Sequence, residues 1–242
     1  MGRENPLDLL FLGSGNAFGA QGRAFSSLLL NGRYLFDCGP TVLQQLRKAG
    51  VSHRDIDAVF ISHFHADHFF GLPFLFLASR YEGRDRDITI VGPPGIEERT
   101  DGLMSLGYPH LLDDAPFKVN FVEVADGFCG NVDGLDISAA RVDHVEQLSC
   151  FAYRAESAGR SLVYSGDTTL CNGLLRLSKG AEVIVLECSC DGVPVHLSPE
   201  GVEAVARGAP GAQIILTHLD GLQDSREFPG MTIAEDGARF SF

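Results

Sequence analysis

Six consecutive residues, His63-Phe64-His65-Ala66-Asp67-His68, place three imidazoles and a carboxylate within one turn of chain. Neutral imidazole nitrogen and ionised carboxylate oxygen are the donors that borderline divalent cations take. The cluster therefore suits zinc, with manganese or iron as alternatives. As a plain polar loop it would need a separate hydrogen-bond partner for every imidazole in the same crowded turn. Three more candidates lie far away in sequence: His144, Asp167 within Ser165-Gly166-Asp167-Thr168, and His218 within Leu216-Thr217-His218.

Each candidate follows a predicted strand. An apolar run at 58–62 precedes the cluster, an imperfectly alternating one at 135–142 precedes His144, 161–165 precedes Asp167, and 213–217 precedes His218. Open α/β sheets place their sites past the C-terminal ends of strands, so donors separated by many residues can converge there. Further strands are predicted near 7–13, 26–31, 33–38, 88–91, 117–124, 148–155 and 182–187. Helices are predicted near 41–49, 67–78, 95–106, 171–178 and 199–207. Asn31-Gly32 signals a hairpin. Ser198-Pro199-Glu200 carries an N-cap oxygen, a proline at the first helical position and an acid at the positive end of the dipole. Hairpins followed by helices in each half predict an α/β (α+β) protein with two sheets face to face and helices outside, a four-layer αββα sandwich. A single doubly wound sheet is the alternative architecture.

The order His63-x-His65-x-Asp67-His68, His144, Asp167, His218 resembles the metallo-β-lactamase superfamily, in its hydrolase branch with two metals. The flanking stretches at 11–15, 35–39, 69–73 and 91–95 look most like the ribonuclease Z-like group, which includes ribonuclease Z and small phosphodiesterases acting on cyclic phosphates. The similarity covers nearly the whole chain and implies the metallo-β-lactamase fold over a single domain, residues 1–242. It also implies that His63, His65 and His144 bind one divalent ion and that Asp67, His68 and His218 bind the other, with Asp167 bridging. Zinc is the expected metal. A water between two such ions would lose a proton near neutral pH and serve as the nucleophile. Asp67 and His196 are the catalytic candidates that the resemblance supplies. Val195-His196-Leu197-Ser198 resembles the histidine motif that the nucleases carry near the scissile phosphate, although that motif reads Gly-His-Ser-Thr. His196 would protonate the departing alkoxide; its alternative role is to anchor the cap of the following helix.

Asp37 is expected to orient a ligand histidine. His53 and His110 match no motif position and are expected at the surface or in a lid. Gly13-Ser14-Gly15 lacks the third glycine and the helix of a dinucleotide loop, so it is read as a turn lining the approach to the metals, with Asn16 nearby.

The 242 residues carry a formal charge of −13, from 32 acids against 19 Lys and Arg, and 45% are hydrophobic. Such a chain repels polyanions, which disfavours nucleic acid as an obligate partner unless basic residues gather locally. Arg80, Arg84 and Arg86 do gather, but Glu82, Asp85 and Asp87 interleave with them, as in a solvated helix end and loop. The six cysteines have no C-x-x-C spacing and read as buried thiols; Cys188 and Cys190 would share one face of a strand. The first six residues show neither a leader nor a myristoylation signal, and no run suits a membrane span, so a soluble cytoplasmic protein without a membrane partner is expected, with room for a homodimer.

These readings point to a binuclear metal-dependent hydrolase acting on a small or cyclic phosphodiester. In the ribonuclease Z family the tRNA-gripping insertion falls between His144 and Asp167, where this chain has room for a hairpin and little else. Ester, lactone or thioester hydrolysis is the next reading, and tRNA 3′ processing another. A di-iron protein would carry glutamate in place of His65. A binding module without catalysis would have no need of seven convergent donors. Specificity is expected in loops near 16–25, 79–87 and 108–116.

Overall fold

Strands from the two halves of the chain assemble into two sheets. The computed structural model describes residues 7–190, 192–220 and 228–242; the first six residues, on which the expectation about a leader rests, lie outside them. The first half supplies β1 (Asp8–Gly13), β2 (Ser27–Leu30), β3 (Tyr34–Phe36), β4 (Ala58–Phe60), β5 (Ile88–Gly92) and β6 (Val119–Glu123), with helices α1 (Val42–Lys48), α2 (Ala66–Phe69), α3 (Leu72–Tyr81) and α4 (Ile96–Gly107). The second half supplies β7 (Cys129–Val132), β8 (Leu135–Val142), β9 (Cys150–Ser157), β10 (Arg160–Tyr164), β11 (Val183–Glu187) and β12 (Gln213–Thr217), with α5 (Asn172–Ser178) and α6 (Pro199–Gly208). Two short strands, β13 (Thr232–Ile233) and β14 (Arg239–Ser241), follow. Among the described residues the sheets run β14-β1-β2-β3-β4-β5-β6 and β13-β12-β11-β10-β9-β8-β7.

Alternation along the strands creates the layers. In β3 and β4, Tyr34, Phe36, Ala58 and Phe60 face the second sheet, while Leu35 and Val59 face the helices. Between the sheets Phe36 stacks on Phe60 at 4.9 Å and Tyr153 meets Phe60 edge-on at 5.7 Å. The outer face of the first sheet packs on Leu46 of α1 and Leu75 and Phe76 of α3. That of the second packs on Leu174 of α5 and Val202 and Val205 of α6. Each such side chain contributes about 1.5–3 kcal/mol on burial, so three stacked apolar layers hold the sandwich together. The fold is the expected αββα arrangement, and a single doubly wound sheet is excluded.

The predicted helix at 67–78 is instead two helices. Gly71 presses its backbone onto residues 38 and 39, where a Cβ would sit 2.3 Å from the Gly39 carbonyl, and its N–H donates to Cys38 O at 2.7 Å. This contact breaks the helix after the single turn that carries Asp67 and His68. β7, β13 and β14 escape sequence prediction because they are short and lack an apolar alternation.

The arginine cluster is also not what its charges suggest. Arg84 is buried, with 1% of its surface exposed. Its guanidinium donates to five carbonyls: Arg86 O, His53 O, Arg54 O, Ile56 O and Asp87 O, at 2.7–3.3 Å. It clamps the 79–87 segment to residues 53–56 at the N-terminal edge of β4 and β5, opposite the edge that carries His63. That loop therefore does not shape the site, and His53, expected at the surface, is buried. Only the fork of an arginine offers five donors, against three for a lysine ammonium. Arg84→Ala should lower stability by about 3 kcal/mol, because several buried carbonyls lose their donors at once. Arg84→Lys should recover only a minor part. The urea unfolding midpoint measures both; an unchanged midpoint for Arg84→Ala would show that the clamp holds nothing.

Candidate metal centre

Parallel pairing aligns the strand ends. β10, β11 and β12 are neighbours in register, with Leu162 opposite Val183 and Val183 opposite Gln213, so Asp167, Glu187 and His218 emerge side by side. β3 and β4 do the same for Asp37 and His63 in the other sheet. The two sheet edges face each other across the site.

Three of the histidines, His63, His68 and His144, have one nitrogen committed outside the donor sets. Ser62 Oγ must donate to the Asp37 carboxylate at 2.9 Å, so it accepts from His63 Nδ1 at 3.0 Å. His68 Nδ1 donates to Asp37 Oδ2 at 2.6 Å, and His144 Nδ1 donates to Val195 O at 2.7 Å. Asp37 also accepts from Ser62 N–H and from the Tyr164 hydroxyl, which fixes the carboxylate that the sequence assigns to orienting a histidine. The opposite nitrogens then point inward, the orientation typical of ligating imidazoles.

Two four-residue donor sets result, and a smaller group of Glu187, His196 and His218 adjoins them. His63, His65, His144 and Asp167 form one, and Asp67, His68, Asp167 and His218 form the other; within each, one potential ligand atom per residue lies within 4.8 Å of all the rest. Asp167 belongs to both. Its Oδ2 is 3.8 Å from His63 Nε2 and His144 Nε2 and 3.4 Å from His218 Nε2, while its Oδ1 is 3.3 Å from His68 Nε2. The Ser165-Gly166-Asp167 turn reaches this position because Gly166 lies flush on Ser62; a Cβ there would meet Ser62 Cβ at 2.6 Å.

Divalent cations fit this arrangement on two grounds. His63 Nε2, His68 Nε2 and Asp167 Oδ1 are buried without a well-formed hydrogen bond, although each faces the cluster; interiors do not leave such groups unmatched without reason. In addition, Asp37, Asp67, Asp167 and Glu187 are four buried carboxylates whose ion pairs, among the described residues, involve histidine and no Lys or Arg. The proton affinities carry the same imprint. Burial lowers those of His63, His65 and His144, whereas at His68 and His218 it is outweighed by the surrounding carboxylates, which raise them.

His196 stands beside the two sets, with its ring centroid 4.9 Å from that of His144 and 5.4 Å from that of His218. Its Nδ1 is 2.9 Å from Glu187 Oε1, which also accepts from Thr168 N–H and Leu197 N–H. Sequence reasoning did not single out Glu187. The available signal is an acid closing the apolar run Val-Ile-Val-Leu-Glu at a strand end, the same placement as the other candidates. The Ser198 side chain caps α6 as expected, accepting from Gly201 N–H at 3.2 Å.

A pocket of about 320 Å³ opens next to His196 and His218, walled by Asn16, Phe18, Ser189 and Asp220. Of the three loops expected to carry specificity, the 16–25 segment reaches it, and the 108–116 segment lines a separate hollow. His110 is exposed as expected. Among the cysteines Cys38, Cys150 and Cys188 are buried, but Cys129 is exposed, and Cys188 and Cys190 lie beyond the end of β11 rather than on a strand. Among the described residues no helix is long and apolar enough to cross a membrane.

The family model described as Anti-Pycsar protein Apyc1 matches residues 7–227. A ribonuclease Z of Methanosarcina mazei is 27% identical, covering 95% of this chain and 96% of its own. The alignment runs over 297 positions, more than the 242 residues of this chain, so the relative carries residues that have no counterpart here. Among solved structures, the metallo-β-lactamase fold protein YhfI from Bacillus subtilis superposes with a TM-score of 0.79 at 21% identity, covering 98% of this chain and 100% of its own. The short form of human tRNase Z does so with a TM-score of 0.78 at 25% identity, covering 97% and 99%. With an αββα sandwich, two donor sets at its sheet edges and these relatives, the chain is a ribonuclease Z-like, metal-dependent hydrolase of the metallo-β-lactamase fold, and it belongs to the Anti-Pycsar protein Apyc1 family.

Proposed function

We propose that the protein is a binuclear zinc phosphodiesterase acting on small or cyclic phosphodiesters. His63, His65 and His144 would hold one ion and Asp67, His68 and His218 the other, with Asp167 shared between the two sets. The observation that carries this assignment is the position of Asp167, whose two oxygens face both donor sets. Two divalent ions in these sets would supply a nucleophilic water at neutral pH and neutralise charge on the phosphate in the transition state.

The chain's own residues do the rest. Asp37, Ser62 and Val195 O hold three imidazoles by Nδ1, so that the inward Nε2 is the atom each would offer to a metal. Asp67, in contact with both His68 and His218, keeps its proton affinity low, since those histidines outweigh the effect of burial. It therefore serves as an ionised carboxylate that orients the nucleophilic water. At His196 burial opposes protonation, but the hydrogen bond to Glu187 and the charges of Glu187 and Asp167 outweigh it and raise the proton affinity of the ring. Glu187 accepts the hydrogen bond from Nδ1–H, which stays on the ring, and the Nε2 proton passes to the leaving alkoxide.

Substrate size follows from the chain between His144 and Asp167, which is occupied by the β9–β10 hairpin turning at Ala158 and Gly159. No room remains there for a domain that grips tRNA. The charge of −13 disfavours a polyanionic substrate, and the pocket beside His196 suits a ligand of nucleotide size or smaller. The second reading, tRNA 3′ processing, is favoured by the names of the relatives. A panel of cyclic nucleotides, cyclic sugar phosphates, nitrophenyl diesters, lactones and thioesters, run beside precursor tRNA at physiological salt, separates the two. Turnover of small phosphodiesters with little or no tRNA trimming is expected. Efficient trimming at catalytic enzyme concentrations would overturn the small-substrate reading, and preferential lactone or thioester cleavage would overturn the phosphodiesterase.

A further inference from the structure

Residues 234–238 pass from the second sheet to the first at the edge that carries the donors. Ala234 N–H donates to Leu216 O of β12 at 2.8 Å, while Gly237 N–H donates to Phe11 O and Phe11 N–H to Ala238 O, at 2.7 and 3.0 Å. In the middle of this crossing, the Asp236 carboxylate gathers three donors from the other end of the chain. Its Oδ1 accepts Ser14 N–H and Ser14 Oγ–H, both at 2.9 Å, and its Oδ2 accepts Ala24 N–H at 2.6 Å. Arg23 reinforces the knot, donating from Nη1 to Ser14 Oγ at 2.7 Å and to Ala234 O at 2.8 Å.

Ser14 is fully buried and its carbonyl accepts Leu219 N–H at 3.1 Å. Leu219 directly follows His218, whose φ of 53° puts a non-glycine residue in the left-handed region, a conformation that neighbouring bonds must hold. The same Ser14 turn leads into Asn16 and Phe18, the wall of the pocket. Gly13 and Gly15 let the turn lie directly on residues 23–25, where a Cβ on Gly13 would sit 1.9 Å from Phe25 O.

We infer that Asp236 is a positioning residue: through Ser14 and Leu219 it fixes the backbone conformation of His218, and through the same turn it sets the pocket wall. Here one carboxylate satisfies two separate strands of the loop and sits two hydrogen bonds from His218. The inference rests on the proposed ligand role of His218 for its metal half only.

The test compares wild type, Asp236→Ala and Asp236→Asn by hydrogen exchange without added metal and by zinc titration. In Asp236→Ala, peptides covering 13–26 and 213–219 should exchange faster while β8–β10 stay protected. The second equivalent of zinc should bind about tenfold more weakly with the first unchanged, the size typical of a lost supporting contact behind a ligand. Asp236→Asn keeps an oxygen for Ser14, so it should free Ala24 yet restore protection at Leu219 and most of the second-site affinity. Unchanged exchange at 213–219, or equal loss of both zinc equivalents, would overturn the inference. If wild type itself fails to take up two ions, the metal reading falls, and exchange at 213–219 alone decides whether Asp236 holds His218.

Discussion

Asp167→Ala should bring the metal content of the purified protein from about two ions per chain to below one, and lower phosphodiester hydrolysis by at least about 10³-fold. The other six donors can each be lost from one set while the second set stays complete. Asp167 cannot, because both sets include it. Its oxygens already lie 3.3 to 3.8 Å from four different imidazole nitrogens, in a place where burial makes a lone carboxylate costly and its ion pairs, among the described residues, are with histidine alone. Asp167→Asn sharpens the test. Asparagine keeps the volume and one oxygen, so it can complete one set and should retain close to one ion with little activity. Elemental analysis with circular dichroism as a folding control checks both variants. Full retention of both ions with normal activity would remove Asp167 from the bridge.

The donors were legible in the sequence for two different reasons. His63, His65, Asp67 and His68 announce themselves because one short turn after an apolar strand holds all four. His144, Asp167 and His218 are single residues, and they become visible only through their common placement just past strand ends, where parallel pairing brings them together. Glu187 shares that placement but was passed over, because one acid at the end of a buried run also reads as the chain leaving the core. Its role depends on Thr168 N–H, Leu197 N–H and His196 converging on one oxygen, which no local pattern encodes. Arg84 failed for the opposite reason: interleaved charges describe a surface, yet the guanidinium turned inward to carbonyls some thirty residues away. The layers were predictable from strand alternation. The break at Gly71 was not, since it comes from a backbone contact with Gly39 that sequence periodicity cannot register.

His196→Ala should lower kcat by about 10²–10⁴-fold on diesters with an alkyl alkoxide leaving group, the usual contribution of general acid catalysis. Both ions should stay bound, because His196 belongs to neither four-residue donor set. The hydrogen bond from Nδ1 to Glu187 Oε1 at 2.9 Å holds the ring beside the donors and raises its proton affinity, which suits the other nitrogen to proton delivery. A leaving group of low basicity needs no such proton. Nitrophenyl diesters should therefore slow far less than alkyl diesters in the same variant, which separates proton donation from a loss of α6 capping or of phosphate positioning. Those losses would slow both substrates alike. Glu187→Gln adds a second handle: glutamine can still accept from Nδ1 but cannot stabilise the imidazolium as a carboxylate does. The variant should keep nitrophenyl activity, lose alkyl-diester activity, and move the falling limb of the alkyl-diester pH–rate profile to lower pH. Equal slowing of both substrates by His196→Ala would show that the imidazole positions the phosphate instead of protonating the departing oxygen.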